Sequence, residues 1–194
     1  MTVYLATRNR HKLVEFDELF RPFGLTLRPV PDEAGEAPET GSTFEENAIQ
    51  KALYYGRQVD GWVIADDSGI CVDVLGGAPG VHSARFAGTH GDDAANNRKL
   101  LEQLRGVPEP ARGAKFVCAL AVWRNDGRDV LVVRGEVAGR VTTSIRGGAG
   151  FGYDPLFYLP AVDKTFAELS QAEKNQISHR ARAVSRLMEV WEGL

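Results

Sequence analysis

The chain has 194 residues, of which 43% are hydrophobic and 25% charged, with a formal net charge of −3 at pH 7. These values are typical of a soluble protein with its own core, and we expect one domain, built as two lobes, over residues 1–194. The charge gives no reason to expect a nucleic-acid polymer or a membrane surface as partner, and no apolar run reaches the ~20 residues of a membrane span.

The first residues lack the basic start and long apolar stretch of a signal peptide, so we expect a cytoplasmic protein. Cys71 and Cys118 lie in strand-like segments, where reduced core thiols are expected rather than a disulfide.

The first half of the chain alternates strands and helices. In chain order we predict a strand Val3–Ala6, a helix 13–20, a strand 24–30, a helix Phe44–Gly56, a strand ending at residue 66, and another strand 70–75. The turn formers Ser68 and Gly69 separate the last two strands in this prediction.

The second half mixes hairpins with helices. A helix capped by Asp92 or Asp93 runs to about residue 104, strands 116–123 and 129–136 flank the hairpin signal "NDGR", and residues 137–142 extend the sheet. A glycine-rich loop, "RGGAGFGYDP", leads to a strand 156–158, and an amphipathic helix ends the chain. This order predicts an α/β fold with a mixed sheet and helices on its faces.

The strand–loop–helix segment "VYLATRNRHKLVEF" is the first candidate site. The start of a helix after a strand offers free N–H groups to an anion, and Thr7, Asn9 and Lys12 add further donors. The loop has no glycine and is not a Walker loop. Taken alone, the segment favours a solvated polar loop.

Asp66 and Asp67 follow the apolar run "WVIA" and form an acidic cluster with Glu46. Carboxylates at the end of a strand suit Mg²⁺, which takes one or two of them with waters and phosphates. Asp66 is equally explained as a cap of nearby backbone amides, and Glu46 as the partner of Thr43 in a capping box. Asp67 has no comparable capping role, whereas capping is sufficient for Asp92 and Asp93.

Two later segments complete the candidates. In "GGAGFGYDP" the glycines allow close approach of a ligand and the aromatic ring offers a stacking face, although a structural tight turn explains it as well. In "EKNQISHR" Ser170 and Glu173 form a capping box next to a basic cluster, in which a lone histidine is more often a surface residue. No single motif decides the function, but the four together favour a nucleotide with Mg²⁺.

Six short motifs of the sequence are similar to motifs of one known family. "ATRNRHK", "TFEENA", "ADDSG", "VLGGAPGVHSAR", "GAGFGYDP" and "EKNQISHR" occur in the order found in the inosine triphosphate pyrophosphatase family, from residue 7 to residue 180. The chain closely resembles that family throughout this range.

The resemblance implies an elongated mixed sheet flanked by helices, two lobes with a central nucleotide cleft, and a homodimer. It also implies Mg²⁺-dependent hydrolysis of ITP, dITP, XTP and dXTP to the monophosphate and pyrophosphate. A related pyrophosphatase of the Maf-like group and a non-catalytic nucleotide-binding regulator are the alternatives. A regulator would need no candidate base beside the metal.

The resemblance also assigns roles to residues. Asp67 would be the catalytic base and, with Glu46, a metal ligand. The substrate-binding residues would be Thr7, Arg8, Asn9, Arg10, His11 and Lys12 at the triphosphate, Ser68 beside the substrate, and Phe151, Gly152, Tyr153, Asp154, Lys174, His179 and Arg180 at the base.

Overall fold

The computed structural model describes residues 2–126 and 128–191. In that part of the chain the strands are β1 Val3–Ala6, β2 Leu27–Pro29, β3 Trp62–Val72, β4 Gly113–Trp123, β5 Leu131–Val141, β6 Phe157–Leu159 and β7 Lys164–Thr165. The helices there are α1 Arg10–Phe20, α2 Phe44–Gly56, α3 Asp93–Gln103, α4 Gln171–Ile177 and α5 His179–Val190. None of the described helices has the length and apolar character needed to cross a membrane.

The strands form one sheet in the order β2-β1-β3-β4-β5-β6-β7. β1 runs parallel to both β2 and β3, whereas β6 is antiparallel to both β5 and β7. The predicted α/β fold with a mixed sheet flanked by helices is therefore confirmed.

The described residues divide into two compact units. The first takes the described residues of Met1–Asp67, Cys118–Gly135 and His179–Leu194, and the second takes Ser68–Val117 and Glu136–Ser178. The core of the first unit includes Phe16 and Phe20 of α1 with Leu187 of α5. The core of the second unit includes three aromatic rings, with centroids of Phe116 and Phe157 4.4 Å apart and of Phe116 and Phe166 5.4 Å apart. The single domain over residues 1–194 and its nucleotide cleft stay predictions.

The strand β3 corrects the prediction of a turn at Ser68 and Gly69. β3 continues without interruption from Trp62 to Val72, so Asp66 and Asp67 lie inside a strand rather than at its end. A Cβ on Gly69 would lie 2.3 Å from Ser83 Oγ and 2.6 Å from the Gly80 carbonyl oxygen. Position 69 therefore needs a glycine because the segment that contains Gly80 and Ser83 packs closely against the strand. Such a close approach of another segment is a common reason for glycine within a strand.

Side-chain caps set the helix starts. α1 begins at Arg10, earlier than predicted, because the Asn9 side chain accepts hydrogen bonds from the N–H groups of His11 and Lys12. α2 has the predicted bounds, and the capping boxes of Thr43 with Glu46 and of Ser170 with Glu173 are confirmed.

The remaining differences concern strand lengths. β2 is shorter than predicted, since Gly24 has a φ of 75° and ends a turn there. β4 starts at Gly113, ahead of its prediction, and β5 is one strand where two segments were expected. Gly127, in the predicted hairpin turn 125–128, lies outside the described residues.

Candidate functional site

The acidic pair lies where β1 ends beside β3. In the parallel register Ala6 is opposite Ala65, so Asp66 is the first β3 residue beyond the end of β1. The loop from β1 to α1 leaves the sheet at this same edge. Ligands of open α/β sheets bind outside the carboxyl ends of parallel strands, and this is the edge that carries the two acids.

Asp66 is held in a buried ion pair. Its Oδ2 accepts from Lys12 Nζ in a short contact, and its Oδ1 accepts from the Cys118 thiol at 3.2 Å. Burial opposes the charged carboxylate, but Lys12, Arg180 and Lys51 outweigh it and lower the pKa of Asp66 to about 2. Burial also raises the pKa of the Cys118 thiol, which therefore keeps its proton. Asp66 is therefore ionised at neutral pH and paired with Lys12.

Asp67 points to the opposite face of the strand, because successive side chains of a strand alternate. Its Oδ2 accepts from Asn47 Nδ2 at 3.0 Å, and its Oδ1 lies 3.5 Å from Lys51 Nζ. Burial raises the pKa of Asp67, although Lys51 and Lys12 act to lower it. Two adjacent carboxylates with pKa values moved in opposite directions are the pattern by which acid–base roles are recognised, and Asp67 is the one suited to accept a proton.

Asn47 and Lys51 on α2 were missed by the sequence prediction. Burial lowers the pKa of Lys51, but Asp67, Glu39 and Asp66 outweigh it, so the net shift is upward and the ammonium stays charged. Lys51 Nζ also donates to Glu39 Oε1 at 2.9 Å. Residues four positions apart lie on one helix face. The sequence feature that could have identified them is the presence of two polar residues, Asn47 and Lys51, on the apolar face of "EENAIQKA".

The predicted triphosphate loop is largely tied to itself and to its neighbours. Thr7 Oγ1 accepts from Asn9 N at 3.2 Å, and Asn9 Oδ1 accepts from His11 N at 2.9 Å. Arg8 donates to the carbonyl oxygens of Asp32 and Gly35. The loop is therefore ordered by its own side chains, while Arg10 and His11 are exposed at the start of α1.

Glu46 acts as a capping residue in the structure. Its Oε2 accepts from Ser42 N at 2.6 Å, Ser42 Oγ at 2.9 Å and Thr43 N at 3.3 Å. The hydrogen bond from the Ser42 backbone is the main cause that lowers the pKa of Glu46. Oε1 has no hydrogen-bond partner among the described residues, and the side chain is exposed. The cap thus occupies only one of the two carboxylate oxygens.

The second unit brings three of the predicted base-binding residues together. Lys174 Nζ donates to Asp154 Oδ2 at 2.7 Å in a buried ion pair, and it lies 5.1 Å from the centroid of the Phe151 ring. Asp154 Oδ2 also accepts from Phe151 N at 3.0 Å. Tyr153, in contrast, directs its hydroxyl to the carbonyl oxygen of Ser83 at 2.8 Å.

The two acids at the start of α3 differ in role, which corrects the prediction that capping is sufficient for both. Asp92 is the N-cap and accepts from Ala95 N at 2.9 Å. Asp93 is the first helical residue, and its carboxylate accepts from Gly152 N at 2.7 Å, within the glycine-rich loop.

His179, Arg180 and Ser68 complete the predicted set. His179 and Arg180 are buried at the start of α5 in the first unit, where Arg180 Nη1 donates to Glu15 Oε2 at 2.8 Å. The structure thus gives Arg180 a buried ion pair between α5 and α1, which the sequence prediction did not include. Ser68 follows Asp67 in β3 and is half-buried.

No three histidine, cysteine, aspartate or glutamate side chains of the described residues come together as a metal-binding cluster. The two residues predicted to hold a metal are Asp67, whose oxygens face Asn47 and Lys51, and Glu46, whose Oε1 is not used by the cap; both offer hard oxygen donors.

The whole chain can be compared with known proteins. It matches the model of the Ham1 family over residues 3–190. The "dITP/XTP pyrophosphatase" of Geobacillus kaustophilus is 51% identical over 192 residues, covering 98% of this chain and 94% of that protein. The corresponding protein of Desulforamulus reducens is 46% identical over 192 residues, covering 98% and 95%.

Solved structures agree in fold. The Ham1 protein of Staphylococcus aureus is 40% identical, with a TM-score of 0.86 and coverage of 100% of this chain and 99% of that one. The "Nucleoside-triphosphatase / dITP/XTP pyrophosphatase" of Mycobacterium abscessus is 41% identical, with a TM-score of 0.76 and coverage of 96% and 97%. On sequence and structure alike, this chain belongs to the Ham1 family.

Proposed function

We propose that the protein hydrolyses non-standard purine nucleoside triphosphates, namely ITP, dITP, XTP and dXTP, to the monophosphate and pyrophosphate with the help of Mg²⁺. The chain is a pyrophosphatase by its family, in which relatives that match almost its full length are named dITP/XTP pyrophosphatases. The observation that carries the proposal is the pair of adjacent buried acids, of which Asp66 is paired with Lys12 whereas Asp67 lies beside Asn47 and Lys51 and has a raised pKa.

Asp67 is the proposed general base. A water attacks the α-phosphorus, Asp67 takes the proton of that water, the bond to the bridging oxygen breaks, and pyrophosphate leaves. A base is most effective when its pKa approaches the working pH, and burial moves the pKa of Asp67 in that direction. A nucleotide sensor without catalysis would not need such a group, which favours the enzyme over a binding regulator.

The Mg²⁺ ion would be held by Asp67 and Glu46. The donor set fits, because this ion takes one or two carboxylates and completes its shell with waters and phosphate oxygens. Glu46 keeps Oε1 available while Oε2 caps α2. When bound, Mg²⁺ would polarise the phosphoryl group and offset the charge of the polyphosphate.

Residues 7–12 are proposed to hold the triphosphate. The loop leaves the sheet at the edge that carries Asp66, and Lys12 has three N–H donors, so donors remain after the ion pair with Asp66. Lys51, beside Asp67, is a further cation of the same unit. An anionic substrate suits this group of cations.

The base is proposed to lie on residues of the glycine-rich loop and on Lys174, with His179 and Arg180 as further donors. Hypoxanthine and xanthine carry an oxygen at position 6, where adenine carries an amino group, so donors at that position separate the two classes. Phe151 would stack on any base, and Ser68 would contact the substrate beside Asp67. A homodimer is part of the proposal and rests on the family resemblance, and a cytoplasmic location is proposed with it.

The proposal is tested by incubating the protein with ITP, XTP, GTP or ATP and Mg²⁺ and measuring pyrophosphate and orthophosphate separately. We expect pyrophosphate from ITP and XTP in preference to GTP and ATP. In ¹⁸O-water the label should appear in the monophosphate, because the water attacks the α-phosphorus, and the matched Asp67→Asn variant should be inactive. Release of labelled orthophosphate as the first product, or equal turnover of ATP and ITP, would reject the proposal.

A further inference from the structure

We propose that Asp93 and Asn97 of α3 are positioning residues that fix the glycine-rich loop at Gly152 and thereby set the discrimination between 6-oxo and 6-amino purine triphosphates. This role rests on the proposed function. It concerns residues that lie outside every motif used above to assign that function.

The two side chains hold both polar groups of one residue. Asp93 Oδ2 accepts from Gly152 N at 2.7 Å, and Asn97 Nδ2 donates to the Gly152 carbonyl oxygen at 2.9 Å. Asp93 and Asn97 are four positions apart on α3 and therefore lie on one helix face. The result is a clamp on the two peptide planes that flank Gly152.

This clamp acts directly on the neighbouring loop residues. Gly152 has a φ of 62°, a left-handed conformation that glycine adopts without a steric penalty. The N–H group of Gly152 is part of the peptide bond between Phe151 and Gly152, and its carbonyl group is part of the peptide bond between Gly152 and Tyr153. Phe151 N is already bonded to Asp154 Oδ2, so the clamp fixes the backbone of Phe151 on its second side.

Base recognition depends on this placement. Asp154, which lies two residues after Gly152, is paired with Lys174, and the Phe151 ring lies beside the same ammonium. Discrimination between an oxygen and an amino group requires that the recognising groups stay within a fraction of an ångström of their places. Without the clamp, Gly152 would be held only through the turn in which Asp154 N–H donates to the Phe151 carbonyl oxygen, and a glycine restricts its own dihedral angles least of all residues.

Stability alone does not account for these two side chains. Asn97 is buried, and its Oδ1 has no hydrogen-bond partner within the described chain, a condition that a leucine of similar size would remove. Asp92 already caps α3, so Asp93 is not needed for that purpose. The interaction that Asp93 and Asn97 share is a hydrogen bond to the backbone of Gly152.

The experiment compares kcat/KM for ITP and for ATP in four variants and the wild type. Asp93→Ala and Asn97→Leu each remove one half of the clamp, and we expect each to lower the ITP-to-ATP ratio by about 10-fold, the scale of a small misplacement remote from the reacting atoms. Asp93→Asn keeps an acceptor for Gly152 N and should retain most of the ratio. Asp92→Ala is the matched control, because it weakens the same helix without touching Gly152, and it should lower Tm but leave the ratio unchanged.

Asn97→Leu is expected to fold, because it removes a buried oxygen without a partner among the described residues and leaves only the half-buried carbonyl of Gly152 to be hydrated, so it decides the matter even if Asp93→Ala does not fold. An unchanged ratio in Asn97→Leu overturns the positioning role, and so does an equal loss of the ratio in Asp92→Ala. If the wild type does not prefer ITP to ATP, the proposed function itself is wrong. The experiment therefore distinguishes a failure of the proposed function from a failure of the positioning role.

Discussion

The neighbouring acids Asp66 and Asp67 should respond in opposite ways to the same change. Asp66→Asn removes the anion that holds Lys12 and should destabilise the protein. Asp67→Asn removes the proposed base and a metal ligand, yet should leave stability intact at neutral pH. Because burial raises the pKa of Asp67, its ionised form is disfavoured in the folded state, so a neutral amide there relieves a cost.

The magnitude for Asp66 follows from its pKa. The fall from 3.8 to about 2 is just under two units, and at 1.36 kcal/mol per unit Asp66 contributes about 2 kcal/mol to the free energy of unfolding at neutral pH. A carboxylate with a lowered folded-state pKa stabilises the fold above the unfolded-state value, and this contribution is lost as the pH falls through the folded-state value. The difference between wild type and Asp66→Asn should therefore shrink below pH 4 and reach about half near pH 3.

Urea denaturation at pH 7 and in steps down to pH 3 measures the stability of both variants, and pyrophosphate release from ITP measures their activity. We expect Asp67→Asn to lose at least about 10²-fold in kcat, the effect of a removed general base. The reasoning is refuted if Asp66→Asn is as stable as the wild type at pH 7, or if its deficit persists unchanged at pH 3. Near wild-type turnover of folded Asp67→Asn refutes the assignment of the base.

Three further predictions concern Glu46, Arg180 and Phe151. Glu46→Gln keeps an oxygen for the cap of α2 but loses an anionic one, so Tm should hold while the Mg²⁺ concentration for half-maximal activity rises; a titration that superimposes on wild type contradicts the metal role. Arg180→Ala should lower the free energy of unfolding by about 3–5 kcal/mol, because buried Glu15 loses this cation. In urea denaturation the double variant Arg180→Ala with Glu15→Leu should recover most of this loss. A single variant as stable as the wild type contradicts the role of the buried pair. Phe151→Ala should reduce kcat/KM for ITP and ATP by similar factors, corresponding to stacking worth about 1–3 kcal/mol, and a changed ITP-to-ATP ratio would show that the ring also selects the base.

The sequence alone predicted the kind of fold and most element positions. The bounds of α2 and its capping box follow from side chains within four residues of one another, so local chemistry is sufficient to place them. The order of strands, hairpins and helices predicted the mixed sheet, and the six motif words predicted the family that the comparisons confirmed.

Long-range contacts set what the sequence could not predict. The dipeptide Ser68-Gly69 is typical of a turn, but the approach of Ser83 and Gly80 makes Gly69 a strand residue. Lys12 meets Asp66 across 54 positions of the chain, and Asn97 meets Gly152 across 55. No pattern of neighbouring residues encodes such pairs.

The sequence by itself determined that two adjacent carboxylates follow an apolar run, and its resemblance to the family predicted which chemistry they serve. Only the tertiary structure decided that the two carboxylates have different partners and opposite pKa shifts. Strand alternation sends Asp66 to Lys12 and Cys118, and Asp67 to Asn47 and Lys51. The pKa of a buried acid depends on its desolvation and on the charges within a few ångströms, and both are fixed only when distant segments pack around it.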